Sequence, residues 1–146
     1  MKVNLEDLTN YRHPQVIKRF AREYPEMAEK SEAIFQDLML FFWASKYHTE
    51  EKKLYPHRED LDFIYIMDEE MKGIDQMWHI FLLYTKDYAE FCEKYFGEFL
   101  HHLPDLVDPD ETDSSKFTQN LERFLNYTYD LLGEEVIKRW YAPILA

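Results

Sequence analysis

The chain has one cysteine, Cys92, in 146 residues. A lone thiol closes no intramolecular disulfide, so a small scaffold framed by cystines is excluded. Glycine occurs only three times, and no glycine-rich phosphate loop, HExxH pair, CxxC pair or nucleophile elbow is present, which removes several familiar enzyme classes. Positive charge is also scarce: 17 Lys and Arg stand against 29 Asp and Glu, for a net charge of -12. Such a field opposes a phosphate backbone or an anionic membrane surface, so neither nucleic acid nor membrane is expected as a partner. Long apolar runs are missing too. The most apolar one, Ile34 to Ala44, contains Gln36 and Asp37 and is too short to cross a bilayer. The opening residues, Met1 to Asp7, lack the basic-then-apolar pattern of a signal peptide. These features together point to the cytoplasm.

What is present is apolar and aromatic substance, 46% and 17% of residues, enough to offset the entropy of ordering and to build one core. The length suits a single domain over residues 1–146. Pro14 and Pro25 fit the first turn of a helix, where a missing N–H costs nothing. A short helix is therefore predicted from Pro14 to about Arg22, and a long one from Pro25 to about Glu50. In the long helix Met27, Ser31, Ile34, Leu38, Phe41, Phe42, Ser45 and His48 recur at three- and four-residue steps on one stripe. Leu61 to Met67 matches neither periodicity and reads as irregular or helical. After Gly73 a stripe of Ile74, Met77, Trp78, Phe81, Thr85, Tyr88, Phe91, Cys92 and Tyr95 predicts one more long helix, ended by Gly97 in a left-handed turn. Asp113 or Ser114 can cap a further helix to Leu132, Gly133 stops it, and Val136, Ile137 and Trp140 suggest a last turn or two. The expected fold is all-α, a compact array of about four to five helices, three of them long.

Side chains capable of chemistry are densest between Asp75 and His102. Asp75 and His79 are four residues apart, which puts them on one side of a helix, and a carboxylate with an imidazole is competent for zinc or iron. The same spacing also serves a plain hydrogen bond. His48, inward on the long second helix, needs a partner: Asp75 and His79, or a group near its own helix end. On an unbroken helix Cys92 lies about 20 Å from His79 along the axis, on a side differing by about 140°. Gly97 lies about 27 Å beyond His79, and the few residues up to His102 span at most about 17 Å. A rigid rod thus keeps Cys92 and His102 away from Asp75 and His79, and Cys92 reads as a small buried hydrophobe. The acidic group Asp105, Asp108, Asp110, Glu111 and Asp113 lacks the register of a calcium loop and reads as a solvated loop.

The string Asp75-Gln-Met-Trp78-His79, with Tyr88, Cys92, Gly97, His101, His102 and Pro104 downstream, resembles a bacterial family of small uncharacterised proteins. It is more distantly similar to the amino-terminal region of plant and fungal glycine-rich-domain proteins. The closing Leu132-Gly133 and Trp140 resemble the family's ending, with Leu132 where an aromatic residue is usual. The resemblance implies that Asp75, His79, Cys92 and His102 belong together, functionally or structurally. The rod geometry questions whether they share one ion, because bringing them together demands a kink, an unwinding or a second subunit; Asp75, His79, His102, Cys92 and His48 are the candidate metal ligands.

Three functions follow as expectations. The first is a small metal-binding domain centred on Asp75 and His79 with a histidine from elsewhere, holding a divalent ion, zinc or iron, with a position open to water for metal-assisted hydrolysis. The second is a non-enzymatic interaction module in which the Asp–His pair is structural and the acidic exterior meets a basic protein partner. The third is a thiol enzyme using Cys92, which needs an accessible, readily ionised thiol.

Overall fold

The computed structural model describes residues 3–65, 67, 69–102 and 114–141. Every regular element among them is helical, but there are seven α-helices where the periodicity predicts four to five. These are α1 (Leu5–Asn10), α2 (Pro14–Glu23), α3 (Ser31–Leu54), α4 (Lys72–Leu83), α5 (Thr85–Phe96), α6 (Ser114–Leu132) and α7 (Glu134–Trp140), with 3-10 turns at Pro25–Lys30, Glu59–Leu61 and Glu69–Met71. No described helix is long and apolar enough to cross a membrane.

Two features account for the excess. The first is α1, only six residues long and too brief to show a period; it starts where the Asn4 side chain accepts from the Asp7 N–H at 3.1 Å. The second is a break in the helix expected from Gly73 to Gly97. At Tyr84 the backbone takes φ -92° and ψ 65°, its N–H bonds to Phe81 O, and α5 begins at Thr85. The start of the long helix is also moved. Pro25 opens a 3-10 turn, a common prelude to an α-helix, and α3 proper starts at Ser31. The acidic stretch Asp105 to Asp113, with Pro104, Pro109 and the Asp113 cap, lies outside the described residues, as does Ile66.

The described chain divides into two compact units. One comprises Lys2–Trp43 and Met71–His102. In it α2 packs on α4 and α4 meets α5, around Leu8, Phe20, Phe35, Leu38, Phe42, Phe81 and Phe91, all buried. Leu38, Met39, Phe41 and Phe42 fall on more than one side of α3 and are all buried, so this stretch of the helix is enclosed rather than laid on a surface.

The other unit comprises Ala44–Glu70 and Leu103–Ala146, and in it α7 packs on α6. The ambiguous segment belongs here. Residues 62–65 run without regular structure, because α6 supplies the backbone partners that a helix or sheet otherwise would. Asn120 accepts from Ile64 N at 2.8 Å and donates to Ile64 O at 3.1 Å, while Arg123 donates to Asp62 O at 2.8 Å. Phe63 and Tyr65 then point into an aromatic cluster with Phe124 and Tyr127, and the Tyr65 hydroxyl meets that of Thr128 at 2.8 Å.

Candidate metal centre

The break at Tyr84 decides which groups meet. α4 carries Asp75 in its first turn and His79 one turn later. α5 sets off in a new direction and ends at Gly97, which takes φ 69° in the left-handed region. That conformation costs glycine little and other residues more. The chain then passes Phe99 and Leu100 and brings His102 onto α4. His102 Nε2 donates to Asp75 Oδ1 at 2.6 Å, and His79 Nε2 lies 3.6 Å from the same oxygen. The break at Tyr84 is the kink that a shared site demands, and it removes the separation that one rigid rod puts between His102 and α4.

Asp75, His79 and His102 each offer one ligand atom, and the three atoms lie within 4.8 Å of one another. Two imidazoles and one carboxylate at this spacing are able to hold a divalent metal ion. The exposures are graded: His102 13%, Asp75 29% and His79 51%. The cluster is therefore anchored on its His102 side and open to solvent on its His79 side. Burial acts to raise the Asp75 carboxyl, and the hydrogen bond from His102 with the charges of His79 and His102 outweighs it. The net position is below the ordinary carboxylate range, so Asp75 is held ionised, as a ligand must be.

Buried hydrogen bonds fix His102 from behind. Trp78 lies flat on the His102 ring, with centroids 4.0 Å apart and planes 4° from parallel. Trp78 Nε1–H donates to the Tyr88 hydroxyl at 2.9 Å, and that hydroxyl donates to Leu100 O at 2.6 Å. The Cys92 sulfur lies beside the Leu100 backbone and the Tyr88 hydroxyl. The Leu100 carbonyl is thus held by α5, two residues before His102.

Cys92 stands outside the three-residue group. It is buried, and burial pushes its thiol above the ordinary range although its neighbours Leu100 and Tyr88 act to lower it. A raised, enclosed thiol lacks the access and the ionised fraction that a nucleophile needs. His48 belongs to the other unit and is satisfied there: Nε2 donates to Leu61 O at 2.9 Å, and the ring stacks on Phe63 at 4.0 Å. Burial, with Lys52 adding to it, lowers its pKa against the opposing pull of the Leu61 carbonyl and Glu51.

The sequence reading passes over the Leu100 peptide and the start of α5. Thr85 followed by Asp87 is a helix-opening pattern, with an acidic group in the first turn, yet no proline or glycine marks the end of α4. The tie that holds the break is remote in sequence. His13 Nε2 donates to Asp87 Oδ2 at 2.7 Å and the His13 ring lies 5.3 Å from that of Tyr84, while His13 Nδ1 accepts from Val16 N and caps α2.

Residues 4–130 match the model of one protein family, described as UCP032817-like. No curated protein and no solved structure matches the chain.

Proposed function

We propose that this chain, a member of the UCP032817-like family, is a small metal-binding domain in which Asp75, His79 and His102 hold one zinc or iron ion. The supporting observation is the convergence of two imidazole nitrogens and a carboxylate oxygen within 4.8 Å, drawn from α4 and from the segment after α5. A set of three protein ligands leaves coordination positions for water or substrate, as in hydrolytic zinc sites and in iron sites with two histidines and one carboxylate. Zinc, when bound, lowers the pKa of its water to about 7 and so supplies hydroxide for hydrolysis. The chain's own groups bind and orient. His102 is locked by Trp78 and the Leu100 peptide, Asp75 supplies the negative charge, and half-exposed His79 leaves the solvent side approachable. The reading extends the sequence resemblance, in which Asp75, His79 and His102 stand at the matching positions, and places the protein in the cytoplasm, where a lone cysteine is at home.

Elemental analysis of untagged protein, purified without chelator, tests this. About one equivalent of metal is expected, falling below about a tenth in Asp75→Asn and His102→Ala proteins that keep their helical content. Wild-type protein that stays below about a tenth of an equivalent after incubation with zinc and with ferrous iron overturns it.

A second reading is favoured by one observation, that the 2.6 Å bond to Asp75 and the stack on Trp78 satisfy His102 without any ion. In that case the pair is structural and the acidic chain serves as an interaction module for a basic protein. His79→Ala separates the two: lost metal with an unchanged stability of the metal-free fold supports the metal site, and destabilisation with no metal in either wild type or variant supports the module.

A further inference from the structure

The unit formed by Ala44–Glu70 and Leu103–Ala146 contains a cleft of about 290 Å³ that the metal-site reading does not use. Its walls come from a second stripe on α6. Phe124 and Thr128 lie on the buried side of that helix, but Arg123, Asn126, Tyr127, Asp130 and Leu131 follow the same three- and four-residue rhythm on another side and line the cleft. Tyr47 and Glu51 of α3 line it too, with Arg58 and Asp60. Facing stripes at this spacing ordinarily carry apolar residues that interdigitate without voids. Here the stripes are aromatic and charged, and space is left between them.

The charges are set in place before any ligand arrives. The Tyr127 hydroxyl donates to Glu51 Oε1 at 3.0 Å, and Arg58 Nη1 approaches Glu51 Oε2 at 3.4 Å. Arg58 spends its Nε and Nη2 on Asp60, at 3.0 and 2.6 Å, and the two nearly cancel. Arg123 donates to the neutral Asp62 carbonyl, while the Asp62 carboxylate is 3.8 Å away and 76% exposed. Glu51 and Arg123 are thus the least exposed of these charges, each at 23%, and they stand on different walls with opposite signs. A carboxylate offers about four acceptor sites and a guanidinium five donors, so each retains capacity beyond the bonds just named. A ligand with one sign of charge leaves the opposite wall desolvated without compensation, whereas a ligand with both signs answers both.

We propose that this cleft binds a small zwitterion of the α-amino-acid class, with its ammonium at Glu51 and Asp130, its carboxylate at Arg123, and its apolar side chain among Tyr47, Tyr127 and Leu131. The volume is at the lower end of small-molecule sites, suited to a metabolite rather than a peptide. This does not depend on metal at Asp75.

The test is calorimetric titration of the full chain with L-phenylalanine and L-leucine, and with 2-phenylethylamine and 3-phenylpropanoate, which each keep one of the two charges. At least one amino acid is expected to bind with a dissociation constant of about 1 mM or tighter, and both single-charge compounds at least about tenfold more weakly than phenylalanine or not at all. Glu51→Gln and Arg123→Gln should each weaken amino-acid binding by at least about tenfold. Arg123→Lys, which keeps the charge and loses the fork, stands in if the glutamine variant does not fold. Absence of binding by both amino acids up to about 10 mM overturns the proposal. So does equal binding by the single-charge compounds, or binding unaffected by the substitutions, and the network is then a structural one only.

Discussion

Tyr88 places one hydroxyl between Trp78, which stacks on His102, and the carbonyl of Leu100, two residues before it. Its role at the candidate metal cluster is therefore indirect, through the histidine it positions. Tyr88→Phe keeps the ring in the core and removes both bonds, and it is expected to weaken metal binding about 10- to 100-fold, the usual cost of losing such support. Competition against a chromophoric chelator reads this, and Phe124→Leu, in the other unit, should lower stability without changing affinity. His48 makes a different kind of prediction. Its pKa is lowered in the fold by burial first, so the unfolded chain binds the extra proton more readily. Stability from this group is present above about pH 6.5 and is lost as pH falls from there towards the lower folded value. In urea unfolding at stepped pH, His48→Gln, which keeps a donor for Leu61 O and does not titrate, should show a shallower loss of stability below that pH than the wild type. At this scale the sequence was informative about type and neighbourhood. The i, i+4 spacing put Asp75 beside His79, and inward placement predicted a partnered His48. Cys92 was expected to behave as a small buried hydrophobe and is found buried with a raised thiol; its place beside the Leu100 backbone could not be read from spacing.

Among the elements, the separation of α4 from α5 matters most, since it alone lets the chain after Gly97 return to α4. Nothing local enforces it; Leu83-Tyr84-Thr85 contains no helix breaker. His13 does part of the work by holding Asp87 while capping α2. Asn at position 13 keeps a good cap but is too short for Asp87. A double-mutant cycle of His13→Asn with Asp87→Ala should therefore give a coupling of about 1 kcal/mol, modest because Asp87 is 43% exposed and water screens part of the interaction. Additivity of the two in thermal or urea unfolding would show that the tie contributes nothing. The opposite lesson comes from residues 61–67. Their mixed pattern reads as irregular or helical, and residues 62–65 are irregular; what holds them there, Asn120 on both polar groups of Ile64 and Arg123 on Asp62 O, comes from side chains more than fifty residues away.

For the molecule as a whole, the metal reading predicts linkage between ligand and stability. Zinc at a hundredfold excess over its dissociation constant should stabilise the fold by about 2.7 kcal/mol. A rise in melting temperature that chelator reverses, and that Asp75→Asn abolishes, is the expected calorimetric record; an unchanged wild-type melt counts against a site in the folded protein. Net charge of -12 adds a general preference for cations over anions. By itself, the order of residues determined the all-α class, the α2 start at Pro14, the left-handed stop at Gly97 and the pairing of Asp75 with His79, since each rests on neighbours within a turn or two. The tertiary structure alone decided that there are seven described α-helices, that His102 joins the cluster and that His48 does not. Those outcomes depend on contacts such as His13 with Asp87, 74 residues apart, and periodicity along one helix carries no information about partners at that separation.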